Sequence, residues 1–184
     1  ERFSLNAEKT QAENLSTEVL AHLLRNHRTF RKRFLDRLLI EKKSLRRQFR
    51  GDVTIKTQDR FENCIFDLRI QSGDQSIIIE NKLYAGEGFS RVGRNEYVPQ
   101  VQKYLNTQQG YVAFLAPRDA PPKEPRENKR YLGHIPWEDI AGILRYIRKK
   151  PQIMEEFVRY LEEKNMAGFQ PFETRELESA AAGY

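Results

Sequence analysis

Cysteine is almost absent from this chain of 184 residues: Cys64 is the only one, so no internal disulfide can form. That fits a reducing compartment, and a cytoplasmic location is the expectation. Histidine is also scarce. His22, His27 and His134 stand at no metal-ligand spacing to one another or to Cys64, which argues against a zinc site. No apolar run approaches the roughly 18 residues needed to cross a bilayer, and no charged-then-apolar leader opens the chain at Glu1. Nothing matches a phosphate-binding glycine fingerprint; Gly86-Glu87-Gly88 lacks both the spacing and the lysine. Internal repeats are missing too. These gaps set aside a disulfide scaffold, a membrane protein, a zinc module and a P-loop enzyme.

What is present is a charge-rich chain with enough apolar residues for one core: 39% hydrophobic and 32% charged, with a net charge of +6. One domain over residues 1–166 is expected, with 167–184 as a flexible tail. The positive excess is concentrated. Between Arg25 and Arg50 stand eleven Lys/Arg against Asp36 and Glu41, a local +9. A solvated helix face explains such a run as well as a phosphate-backbone footprint does, and only a cutting site beside it would favour the second.

Periodicity supplies the elements. Leu15, Val19, Leu20, Leu23 and Leu24 recur at helical spacing, predicting a helix from about Thr10 to Arg25. Thr10-Gln11-Ala12-Glu13 reads as a capping box at its start. A basic amphipathic helix follows near Arg28 to Ile40. Alternation then predicts strands over Asp52–Gln58, Cys64–Ile70 and Ser76–Leu83, the last two joined as a hairpin at Gly73. The run Ile77-Ile78-Ile79 implies burial on both faces and a central place in the sheet. Tyr84 to Glu96 reads as a glycine-rich loop, and a helix from Pro99 to Gln108 follows. Strands at Tyr111–Ala116 and Tyr131–Ile135, flanking a proline-rich loop, lead to helices near Trp137–Arg148 and Pro151–Lys164. The fold class is α/β, a mixed central sheet flanked by helices.

One constellation carries chemistry. Glu80 and Lys82 are two apart on a strand and share a face, where an isoleucine run turns abruptly to charge. A local ion pair at the sheet end would account for those two alone. Asp67, however, sits between Phe66 and Leu68, where a carboxylate is costly, and the hairpin register can bring it beside Glu80. Two adjacent carboxylates repel unless a cation lies between them. Magnesium, with manganese as its substitute, suits oxygen ligands plus a phosphate. Lys82 would then face the attacking water or the scissile phosphate.

Phe66-Asp67 followed by Glu80-Asn81-Lys82 resembles the PD-(D/E)XK nuclease superfamily, with phenylalanine where the name has proline. Ile77 to Lys82 followed by Leu83-Tyr84-Ala85-Gly86 is similar to a bacterial branch of it. The resemblance spans roughly Thr10 to Arg148 and implies a restriction-endonuclease-like α-β-β-β-α-β core. Gln100 and Tyr104 form QxxxY and share a helix face. They resemble the extra motif of the RecB-like branch, which implies that Gln100 orients the site and that Tyr104 supports it or a phosphate. The resemblance further implies a third metal-site acid from the first helix. Glu13 matches that place as well as it matches the capping box, and Glu18 is the weaker alternative. Arg31, Lys32, Arg33, Lys42, Lys43, Arg46 and Arg47 are the candidate nucleic-acid contacts.

Two functions follow as expectations. One is a metal-dependent nuclease acting on nucleic acid, DNA first, in a setting such as bacterial anti-phage defence. The other is a catalytically inactive nucleic-acid-binding or assembly module of the same fold. Both leave room for a homodimer, or for association with other domains of a longer chain.

Overall fold

The computed structural model describes residues 2–84, 89–91, 97–121 and 128–167. Most of the expected glycine-rich loop, the cations Lys123 and Arg126, and the tail from residue 168 lie outside them. Thirteen elements are seen in these segments. Three helices lead: α1 (Arg2–Asn26), α2 (Arg28–Leu38) and α3 (Lys43–Gln48). Strands β1 (Thr54–Phe61), β2 (Cys64–Ser72) and β3 (Gln75–Asn81) follow. Next come the short β4 (Phe89–Arg91) and β5 (Tyr97–Pro99), then α4 (Gln100–Asn106), β6 (Tyr111–Ala116), β7 (Tyr131–Pro136), α5 (Trp137–Arg145) and α6 (Gln152–Glu163).

The main sheet has the order β1-β2-β3-β6-β7. Pairs β1–β2 and β2–β3 are antiparallel, while β3–β6 and β6–β7 are parallel. It is therefore mixed, with the isoleucine strand β3 at its centre. At the start of β6 the backbone runs so close to β3 that a Cβ on Gly110 would collide with the Ser76 carbonyl. Only glycine fits there without moving a strand.

Each face of the sheet is covered. Ile77, Ile79, Leu68, Ile70, Ala113 and Leu115 pack against α1, α2, α5 and α6 in the larger core. Ile78, Val112, Phe114 and Phe66 pack on the other side against Val101, Tyr104 and Leu105 of α4. Because side chains alternate along a strand, β3 feeds both layers and carries that alternation into its polar end.

Four expectations are corrected here. The first helix begins at Arg2, so Thr10 lies roughly two turns inside it and Thr10–Glu13 does not cap its start. A short third helix, α3, stands where no element was expected, because KSLRRQ is too short to show periodicity. The stretch taken as a loop contains β4, which pairs antiparallel with β5 just beyond it in a separate two-stranded sheet. Much of the basic segment, finally, lies away from the polar end of β3, although Arg37 pairs with Asp139 near the start of α5. Arg31 bonds the Leu24 and Arg25 carbonyls at the end of α1, and Gln48 at the end of α3 accepts from Ser72, beside the β2–β3 turn. That turn is the opposite end of the sheet from Glu80.

Candidate active site

β3 delivers its last three polar residues in alternation. Glu80 follows Ile78 onto the α4 face and is completely buried. Asn81, also buried, follows Ile79 onto the α1 face. Lys82 returns to the Glu80 side, with its backbone held twice. Its N–H donates to the Leu115 carbonyl at 2.8 Å, and its carbonyl accepts from the Trp137 indole at 3.0 Å. The indole of Trp137, at the start of α5, thus fixes the lysine's main chain.

Asp67 comes from the neighbouring strand. The β2–β3 ladder runs to Leu68–Ile79 and stops. Asp67 Oδ2 accepts the Asn81 N–H at 2.9 Å, so the carboxylate takes the place of a ladder carbonyl. Its other oxygen accepts from Gln58 at 3.4 Å. Gln58 has φ of 48°, a left-handed conformation uncommon for a residue with a side chain. Here Phe66 belongs to the α4-side core but Leu68 to the α1-side core. Asp67 falls among the partly exposed positions of β2 that alternate with its buried ones, Arg69 and Gln71 following it, which is why a carboxylate can sit between Phe66 and Leu68.

The electrostatics centre on Glu80. Lys82 Nζ lies 3.0 Å from its Oε1, and the Tyr104 hydroxyl is the other polar group that reaches the carboxylate. Burial, and then the Asp67 charge, push the Glu80 carboxyl up to about 8; Lys82 pulls the other way without prevailing. For Lys82 burial acts to lower the pKa, but Glu80 and Glu13 outweigh it and hold the ammonium charged well above the usual lysine value. Lys82 Nζ lies 3.4 Å from Glu13 Oε2, and Glu13 Oε1 accepts the Leu83 N–H at 3.2 Å.

Glu13 therefore reaches the site from α1, and its carboxylate is engaged there rather than at a helix start. As an acid joining the other two it is not placed as expected. Among the described residues no three His, Cys, Asp or Glu side chains gather closely enough to hold an ion. Asp67 and Glu80 form the oxygen pair, and Glu13 meets them through Lys82.

Tyr104 is corrected as well. It is 2% exposed, which bars it from touching nucleic acid. Its hydroxyl donates to the Ile65 carbonyl at 2.7 Å and accepts from Gln100 at 3.0 Å, and its ring meets Phe66 edge-on at 5.0 Å. Burial, with Glu80 and Asp67 nearby, drives its pKa far upward, so it stays neutral. QxxxY is thus a brace under β2 beside Glu80. Arg31, Lys32, Arg33, Lys42, Lys43, Arg46 and Arg47, all on or beside α2 and α3, are not brought to this cluster.

A family model described as the PD-(D/E)XK nuclease superfamily matches residues 3–167. The chain belongs to the PD-(D/E)XK nuclease superfamily. No curated protein and no solved structure matches it. The restriction-endonuclease-like fold expected of the superfamily agrees with the mixed five-stranded sheet and its flanking helices. Its members are nucleases that generally use divalent metal ions. This site fits such an ion in one respect: a fully buried carboxylate stands beside a second carboxylate, an all-oxygen donor pair.

Sequence reading missed Asn81, the middle residue of Glu-x-Lys. Its amide donates to Ser16 Oγ at 2.9 Å, Thr17 Oγ1 at 2.8 Å and the Glu13 carbonyl at 3.1 Å. Both hydroxyls in turn donate to that same carbonyl, at 2.8 and 2.9 Å. This knot fastens the α1 turn that carries Glu13 to the strand that carries Lys82. Ser16 and Thr17 on a helix face otherwise lined by leucines were the available signal. Asn81→Ala should cost about 2 kcal/mol, read as a lowered urea midpoint, because buried groups lose their partners.

Proposed function

We propose that this chain hydrolyses phosphodiester bonds of nucleic acid, preferentially DNA, with magnesium or manganese held by Asp67 and Glu80. The observation that carries the reading is Glu80. A fully buried carboxylate next to a second carboxylate, whose burial outweighs its contact with Lys82, is costly to keep ionised. A divalent cation on the pair would remove that cost, polarise the phosphoryl oxygen and lower the pKa of a water nearby.

The chain's own residues account for the rest. Lys82, kept charged by Glu80 and Glu13, faces the scissile phosphate, orients the attacking water and offsets the charge that grows on the phosphoryl oxygens. Glu13 restrains the ammonium from the α1 side, in place of the ligand role that the family resemblance suggested. Gln100 and Tyr104 keep β2, and with it Asp67, in place beneath the pair. An inactive binding module is the weaker reading, since Asp67, Glu80 and Lys82 are all present and brought together.

The deciding experiment is cleavage of linear and circular DNA, and of RNA, by purified protein with magnesium or manganese. Cutting should appear with either ion, stop with EDTA, and fall on RNA relative to DNA. No cutting of any substrate in either metal would sink the proposal. Bacterial anti-phage defence is the setting proposed for the activity, by analogy with relatives of this type. A phage-plating assay on expressing cells, in which the protein gave no protection, would remove it.

A further inference from the structure

Part of the basic segment, far from the cutting centre, folds into a hollow. Arg28, Arg31 and Lys32 of α2 and Arg46 and Arg50 at α3 line a cavity of about 230 Å³, and Asp36 is the only acid among its walls. Its floor is the buried pair Leu35 and Phe49. Five cations face one carboxylate, and that carboxylate is shared: the same oxygen of Asp36 lies 3.7 Å from Arg46 and 3.8 Å from Arg50. The side chains of Arg28 and Lys32 have no ion-pair or hydrogen-bond partner among the described residues. Arg31 is preset, because its Nη1 donates to the Leu24 and Arg25 carbonyls at 2.9 and 3.1 Å. Those bonds occupy one of its nitrogens and hold the guanidinium fixed.

Like charges gathered over an apolar floor repel, and an anion with several oxygens would relieve the repulsion through charge-assisted bonds. From Glu13 to Asn26 along α1 is roughly 20 Å, so the hollow begins about that far from the catalytic cluster. We propose that it is a phosphate-binding site, distinct from the cutting centre, which grips the substrate backbone some six phosphates from the bond being cut, at about 3.4 Å per phosphate along a strand. That the phosphate belongs to a nucleic acid rests on the nuclease reading; that the hollow binds phosphate does not.

Binding should therefore be measured without cutting. The full chain carrying Glu80→Gln is titrated with a fluorescent DNA duplex between 50 and 200 mM salt, with and without Arg28→Gln and Lys32→Gln. A matched control replaces Arg148 and Arg159, exposed cations that do not line the hollow. The paired hollow variant should weaken binding about tenfold and flatten the log–log salt slope by about two, one per lost phosphate contact. The control pair should shift affinity less than threefold. An unchanged slope, or an equal loss in the control, overturns the proposal. A second arm follows melting with inorganic phosphate and pyrophosphate. If these stabilise the parent but not the hollow variant, while DNA binding is identical, the hollow takes a free phosphate and the backbone assignment fails. All four positions are exposed, and circular dichroism confirms that each variant is folded. Failure to cut any substrate would count against the proposed function and leave this result standing.

Discussion

Glu80→Gln should give a metal-free protein that melts higher than the parent and cuts nothing. The parent's Glu80 is deprotonated in the unfolded chain above its ordinary value of 4.5, whereas the folded protein holds the proton up to about 8. The folded state thus binds more protons across that window, and its stability falls as pH rises through it. The penalty is near zero below pH 4.5 and approaches an upper bound of about 3 kcal/mol at pH 7. Glutamine has no charge to bury, so the gain should be absent at pH 4 and largest near pH 8, as read by urea unfolding at a series of pH values in EDTA. Metal should close most of that gap. Magnesium at a hundred times its dissociation constant would stabilise the parent by about 2.7 kcal/mol and leave the variant unmoved. A variant that melts no higher than the parent at pH 7 would mean that the Glu80 carboxylate is better solvated than its burial implies.

The second large effect is on rate alone. Lys82→Ala should lower kcat by about a thousandfold, the scale seen when one donor to a developing oxyanion is removed. Metal binding, followed by the same melting shift, should survive, because Asp67 and Glu80 are untouched. KM should move little if the lysine acts chiefly on the transition state. Residual cutting within tenfold of the parent would strip Lys82 of its proposed role. A raised KM with kcat unchanged would recast it as a substrate-binding residue.

Much of this was legible in the sequence because it follows from short-range rules. Three isoleucines ending in Glu-Asn-Lys placed β3 at the centre of the sheet and Glu80 and Lys82 on one side. The turn at Gly73 fixed the hairpin that sets Asp67 near Asn81. What could not be read depends on contacts distant along the chain. Glu13 satisfied a local capping pattern, and only the extension of α1 back to Arg2 shows that pattern to be coincidental. Tyr104 looked available because a helix face is polar or apolar only by reference to what covers it; Phe66 and Ile65 cover this one. The cations from Arg28 to Arg50 are contiguous in sequence, but α1 is long enough to carry many of them to the far end of the sheet. Charge counting gives the sign of a surface and not its place.

The knot at Asn81 bears on how such a site could be moved. In motif shorthand the middle letter of Glu-x-Lys denotes freedom of choice, since its side chain points away from the chemistry. In this chain that outward side chain is the bolt between the sheet and α1. A designer transplanting Asp67, Glu80 and Lys82 onto another three-stranded scaffold would carry over the reacting groups and lose the part that sets Glu13 against Lys82. The transferable unit is the strand end together with one helical turn, Glu13 through Thr17, and a graft lacking that turn would hold its lysine on one side only.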